Sequence, residues 1–347
     1  MRKEDYLIWQ LVLGGRDSLG RDRISPFLWE ELDWQYFIDS ASKERVSSLV
    51  YNRIREEGWE HLLPEHALNC LQGVYYAHSR YNTLIYEEFT LAASALKKEG
   101  ICFVPLKGIF LAQNLYGNIA LRPMTDIDLL VKKNDVNNCI RVLEVLGYKI
   151  ILGQGRELTN PYAYSITLIK EKGGELGGFS IDLHWHILNS SWMMGLFAGK
   201  IAPAVIWAET QPITIDGIDT SALSSEHLVI NLCLNVFNQG FSRLIMLSDI
   251  AIALEKYGNK DFLDKVKRQA ESFGFSNVSD QVLALAQARD DSGFQRWQSL
   301  KKLNCFCFPA LLYLATARGI KEKLKALAGV IKVAIYLFCR RLGGKGK

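Results

Sequence analysis

Arg122-Pro123-Met124-Thr125-Asp126-Ile127-Asp128-Leu129-Leu130-Val131 sets two aspartates, two residues apart, at the start of an apolar run. Read as a β-strand over 126–131, the run alternates between faces. Asp126 and Asp128 then share one face while Ile127 and Leu129 enter a core. Two carboxylates held that close repel unless a cation lies between them. The pair therefore predicts a metal seat, and a strand edge of this kind suits Mg²⁺ together with the phosphate tail of a nucleotide.

Upstream, Ile101-Cys102-Phe103-Val104 reads as a short strand closed by Pro105. A helix over 107–116 follows, opened by Lys107-Gly108. Glycine permits close backbone approach and a helix N-terminus favours an anion, so Lys107 and Gly108 are candidate phosphate-binding residues. Arg122, four residues before Asp126, either reaches the phosphates or pairs with an aspartate. Downstream, Asn134 or Asp135 is placed to cap a helix that stops at Gly147, and 148–152 reads as a strand. Residues 164–170 and 179–187 read as two strands joined by the glycine-rich turn 172–178, with an edge strand at 212–218. The order βαβαβββ predicts a mixed sheet with helices on one face.

The 179–186 strand, Phe179-Ser180-Ile181-Asp182-Leu183-His184-Trp185-His186, supplies a third carboxylate. Alternation buries Phe179, Ile181, Leu183 and Trp185 and sends Ser180, Asp182, His184 and His186 to the other face. Laid beside 126–131, it turns Asp182 toward the same cleft. Three carboxylates can hold two Mg²⁺, with Asp182 on the ion that activates an acceptor hydroxyl and also able to accept its proton. His184 and His186 read as pocket-wall or second-shell groups, or as packed histidines; a lone His-x-His pair lacks the further ligands of a zinc site.

Around this core the periodicity is helical. Residues 1–100 carry it over 34–55 and 64–98, and from 223 it recurs at 224–239, 241–257, 260–273, 276–289 and 309–339. Asp249, Glu255 and Lys256 read as surface or hinge positions. The fold class is α+β: a small mixed-sheet core at 101–220 between an N-terminal helical region (1–100) and a C-terminal one (221–347). An apolar fraction of 49% with 22% charge is that of an ordinary soluble globular chain of 347 residues. No apolar run approaches the roughly 20 residues of a membrane span, and the charged N-terminus is no secretory signal. Seven scattered cysteines without a CxxC pair read as reduced, mostly buried thiols in a cytoplasmic protein. From Lys321 onward eight Lys/Arg face Glu322 alone, so the C-terminal tail is basic and suits an acidic partner or a solvated helix end.

Leu106-Lys107-Gly108, Tyr116, Arg122-Pro123-Met124, Asp126-Ile127-Asp128-Leu129-Leu130-Val131, Gly147-Tyr148, Ile181-Asp182-Leu183-His184-Trp185 and Arg243 with Asp249-Ile250-Ala251 together resemble an uncharacterised bacterial nucleotidyltransferase family of the DNA polymerase β superfamily. The layout is also similar to the Lys-Gly-Gly and Asp-x-Asp pattern of abortive-infection toxin nucleotidyltransferases. The resemblance implies a minimal mixed sheet with flanking helices, two Mg²⁺, and transfer of NMP from an NTP to a hydroxyl acceptor with release of pyrophosphate. It matches Asp126 and Asp128 to the metal-binding pair, Asp182 to the third carboxylate and Gly108 to a phosphate-holding Gly-Ser turn. Ile109 stands where that turn has its serine. The acceptor is left open among a small molecule, a peptide or protein, and a tRNA end. The missing serine motivates a second reading, a nucleotidyltransferase fold kept as a nucleotide sensor or partner-binding scaffold. A metal-dependent hydrolase built on Asp182, His184 and His186 is a third.

Overall fold

The computed structural model describes residues 2–14, 24–151, 163–171, 178–188 and 200–302. The turn at 172–177, Leu152, the helical pattern at 309–339 and the basic tail lie outside the described residues.

The centre is a five-stranded sheet of β1 (Phe103–Pro105), β2 (Ile127–Val131), β3 (Lys149–Ile150), β4 (Ser165–Lys170) and β5 (Phe179–His184), in the order β1-β2-β5-β4-β3. Its pairs are antiparallel except β2 with β5, which run parallel, so the sheet is mixed as the alternating pattern predicted. The expected edge strand at 212–218 is instead a separate hairpin, β6 (Gln211–Ile215) and β7 (Ile218–Ala222). Asp216 and Gly217 turn it, both at positive φ (48° and 77°), the conformation that a two-residue hairpin turn requires. The hairpin docks on β1, where the Thr220 hydroxyl donates to the Phe103 carbonyl at 2.8 Å.

The N-terminal helices are α1 (Lys3–Leu13), α2 (Trp34–Lys43), α3 (Ser47–Glu56) and α4 (Glu65–Lys98). The helical pattern at 34–55 is thus two helices. The break falls at Arg45, whose φ is +60°. Val46 N–H donates back to Ala41 O and Arg45 N–H to Ser42 O, each at 2.9 Å, the paired bonds of a Schellman closure with arginine in the position that glycine usually takes.

Helix α4 is the spine of the assembly, and its polar residues reach the core at four heights. Tyr75 Oη accepts from Asn118 at 2.8 Å, and the Tyr86 hydroxyl donates to Ile109 O at 2.7 Å. Buried Glu88 accepts from the Tyr148 hydroxyl at 2.9 Å and from Lys170 Nζ at 2.7 Å. Asn82, wholly buried, donates to the carbonyls of Ile119 and Arg122 and accepts from Met124 N–H at 3.3 Å. It pins the segment that leads into β2.

The remaining helices are α5 (Lys107–Asn114), α6 (Val136–Val145), α7 (Pro203–Ala208), α8 (Ser225–Asn238), α9 (Leu244–Tyr257), α10 (Lys260–Ser272), α11 (Ser276–Gln287) and α12 (Asp291–Lys302). Asp135 takes the N-cap position of α6 but makes no side-chain cap bond, because a short 3₁₀ turn at Lys133–Asp135 leads into the helix. One continuous apolar cluster runs from Leu7 through the sheet to Leu300. Of the described cysteines, Cys139 and Cys233 are buried while Cys70 and Cys102 are exposed, so burial holds for half of them. Among the described residues no helix is long and apolar enough to cross a membrane.

Replacing Asn82 with alanine leaves two carbonyls and one amide without their partner in a dry site. We expect a loss of about 2–3 kcal/mol in urea unfolding, since each orphaned buried polar group costs on the order of 1–3 kcal/mol.

Candidate active site

The parallel pairing of β2 with β5 sets Asp128 directly opposite Asp182 and Ile127 opposite Ile181. Since side chains alternate, the two aspartates emerge on one face, with His184 two residues along on the same face of β5. Ligand atoms of Asp128, Asp182 and His184 all lie within 4.8 Å of one another. Asp126 immediately precedes β2, half-buried, and lies outside that set. Its Oδ1 accepts from the Thr125 hydroxyl at 3.1 Å. The tightest cluster is therefore two aspartates and a histidine, not three aspartates.

Asp128 is only 2% exposed, and its Oδ1 receives both Lys107 Nζ at 2.6 Å and His184 Nε2 at 2.8 Å. Burial alone would raise its pKa. Lys107 and His184 outweigh that and hold the carboxyl well below the usual range. Burial likewise works against charge on Lys107, but the Asp128 carboxylate beside it leaves the ammonium more basic than usual. Asp126 moves the other way: burial, then Asp128, raise its pKa. The backbone of Lys107 has φ +44°, a left-handed conformation costly for a non-glycine residue at a helix start. That conformation accompanies the delivery of its side chain to Asp128 across the end of β1.

Gly108 has a steric role. A Cβ there would come within 2.7 Å of Met124 Cγ and 2.9 Å of its Sδ, so glycine lets the segment before β2 lie against α5. Ile109 is fully buried in the core.

Arg122 takes the pairing alternative, with an aspartate that sequence reading placed at the surface or a hinge. Its Nε and Nη2 donate to Asp249 Oδ1 and Oδ2 at 3.2 and 3.0 Å. Asp249 is 1% exposed and also accepts from the Tyr116 hydroxyl at 2.7 Å. Burial opposes charge on Arg122, but Asp249 raises its pKa overall. The missed signal was the neighbourhood of Asp249: α9 is apolar nearly all round, which marks a buried helix, and a buried aspartate needs a cation.

His186 does not share the site. Its Nε2 bonds the Ile201 carbonyl at 2.9 Å and its Nδ1 accepts from Leu188 N–H at 3.1 Å, so the backbone uses both ring nitrogens. This removes the His-x-His metal reading. With Tyr164, Trp185 and Trp207, His186 lines a cavity of about 660 Å³. His186 itself lies beyond the end of β5, whose last residue is His184.

A pair of carboxylates with a histidine, compensated by a lysine, can hold a divalent cation or orient a proton acceptor. Asp128 and Asp182 offer the oxygen donors that a hard cation prefers, while His184, already on Asp128 Oδ1, is placed to orient that carboxylate.

Two expectations follow. Asp249→Ala strands the buried Arg122 charge and should cost about 3–5 kcal/mol in chemical denaturation. Burial lowers the pKa of His186 below 6.5. Its neutral form is therefore favoured in the folded state. That contribution to stability is complete above about pH 6.5 and is lost as pH falls toward the depressed folded value. Unfolding measured at pH 5 and 7.5 should show a smaller difference for His186→Ala than for wild type.

The chain belongs to a family of uncharacterised nucleotidyltransferases, whose model matches residues 30–289. No curated protein matches it. Among solved structures, it is similar to an antigenic nucleotidyltransferase-like protein from Paracoccidioides brasiliensis, at 11% identity and a TM-score of 0.34, over 62% of this chain and 96% of that one.

Proposed function

We propose that this member of the uncharacterised nucleotidyltransferase family transfers an NMP group from an NTP to a hydroxyl acceptor, using Mg²⁺, in the manner of the DNA polymerase β superfamily. The observation that carries the reading is the pairing of Asp128 with Asp182 across parallel strands, with a half-buried lysine on Asp128. We read residues 101–220 as the catalytic core, framed by helical regions at 1–100 and 221–347.

Asp128, Asp182 and, from the rim, Asp126 are the oxygen donors for the metal. Two Mg²⁺ ions, when bound, supply charge neutralisation at the α-phosphate and at the leaving pyrophosphate. Asp182, the half-buried member, faces the acceptor and takes its hydroxyl proton as the oxygen attacks the α-phosphorus. The bond from the α-phosphorus to its bridging oxygen breaks and pyrophosphate leaves. Lys107 keeps donors beyond the one given to Asp128 and presents them to phosphate oxygens. His184 holds the orientation of Asp128. Gly108 keeps the start of α5 close to that group.

A second reading is favoured by the burial of Ile109 in the core: a fold that binds nucleotide without turning it over.

Pyrophosphate release with ATP, GTP, CTP and UTP, across small-molecule, peptide and tRNA acceptors with Mg²⁺, tests the first reading. Asp128→Asn and Asp182→Asn should each lower the rate roughly a hundredfold or more, as expected for removing a group that supports transition-state charge. Nucleotide-dependent thermal stabilisation with no pyrophosphate release would favour the second. No response to any nucleotide by wild type would sink both.

A further inference from the structure

We propose that Arg45 and Arg243 form a phosphate-binding subsite next to the carboxylate cluster. Assigning its phosphate to the nucleotide or to a phosphorylated acceptor rests on the function proposed above; the binding of a phosphate group does not.

The two arginines come from opposite ends of the chain and meet at one junction. Glu44, at the end of α2, accepts from Leu244 N–H at 2.9 Å through its carboxylate and from Ile245 N–H at 3.3 Å through its carbonyl. Arg45 and Arg243 are the next residues on either side of that lock. Glu44 cannot neutralise them, because its carboxylate is buried on the α9 amide and on Lys301 Nζ. The first amides of α9 are thereby used, so an anion here would be held by guanidinium groups, not by a helix terminus.

Among the described residues neither guanidinium has a hydrogen bond or an ion pair. Arg45 is half-buried, whereas Arg243 is exposed. Two charges like its own and two of opposite sign surround Arg45. Burial, then Arg122 and Arg243, lower its pKa, while Asp126 and Asp249 oppose them. Asp249 is already taken by Arg122, which leaves Asp126 as the opposing carboxylate without an ion-pair partner among the described residues. His78 of α4 has its Nδ1 on the Ser48 hydroxyl at 2.8 Å. Burial and Arg45 keep it neutral. A partly dry place with surplus guanidinium charge beside a candidate metal site matches phosphate, which arginine grips through paired N–H donors.

Backbone geometry is the independent observation. Arg45 occupies the left-handed position of a helix closure, where glycine would do the structural work without the steric cost of a side chain. The guanidinium of Arg45 is thus presented from a backbone conformation whose steric cost glycine would avoid. Lys107, whose Nζ reaches Asp128, also has a positive φ.

The test is isothermal titration of the full chain with orthophosphate and with pyrophosphate in metal-free, EDTA-containing buffer. Wild type should bind both. Arg45→Gly should keep or raise Tm, because φ +60° suits glycine, and should weaken pyrophosphate binding at least tenfold. Arg243→Gln, an exposed change, should do the same without a shift in Tm. A saturating non-hydrolysable ATP analogue distinguishes the sources: displacement of orthophosphate assigns the subsite to the nucleotide, and simultaneous binding assigns it to the acceptor. No phosphate binding by wild type, undiminished binding in both variants, or collapse of the fold in Arg45→Gly would each overturn the proposal. Asp128→Asn keeps the phosphate response while losing turnover, so failure here and failure of the nucleotidyl-transfer reading are separate results.

Discussion

A carboxylate removed from water must be met by positive charge, and Asp128 is the carboxylate around which this molecule is organised. Second in β2 and only 2% exposed, it is largely withdrawn from water, and its oxygen collects an ammonium from the start of α5 and an imidazole from β5. The parallel placement of β5 beside β2, the only parallel pair among the described strands of the sheet, meets that demand by bringing His184 and Asp182 to the same face. It also sits beside a left-handed lysine in a position where such a residue is costly.

A second buried charge ties the remote helices to this core. Arg122 ends the segment that feeds β2, and its partner Asp249 stands in α9, more than a hundred residues later. With Tyr116 on the same carboxylate, the group forms a dry network, where every member must be satisfied for any to be tolerated. Asn82 pins the same segment from the N-terminal side. The strand that carries Asp128 is therefore clamped by helices from both ends of the chain, and the geometry of the site does not depend on the sheet alone.

Much of this was legible before any coordinates. Alternation in 126–131 and 179–186 identified both strands, and the burial of Ile181 and Leu183 against half-exposed Asp182 bears out the phase. Three features were not. The helical spacing over 34–55 gave no sign of the break at Arg45, because that break is made by backbone conformation while the apolar spacing continues across it. Asp249 was placed at the surface because a lone carboxylate in a helix is usually solvated; its partner is too distant in sequence to be inferred by spacing. His186 reads as a pocket-wall, second-shell or packed histidine, and only the bend after His184 gives both its nitrogens to backbone groups.

The sequence by itself determined local matters: which residues alternate, where helices stop at Gly100 and Gly147, and which aspartates share a face. These follow from periodicities of two and 3.6 and from the few residues that tolerate positive φ. Tertiary structure decided which charges meet. Asp128 with Lys107, Arg122 with Asp249, and Arg45 beside Arg243 are all chosen by the packing of distant segments, and the low polarity at those junctions gives each pairing its weight.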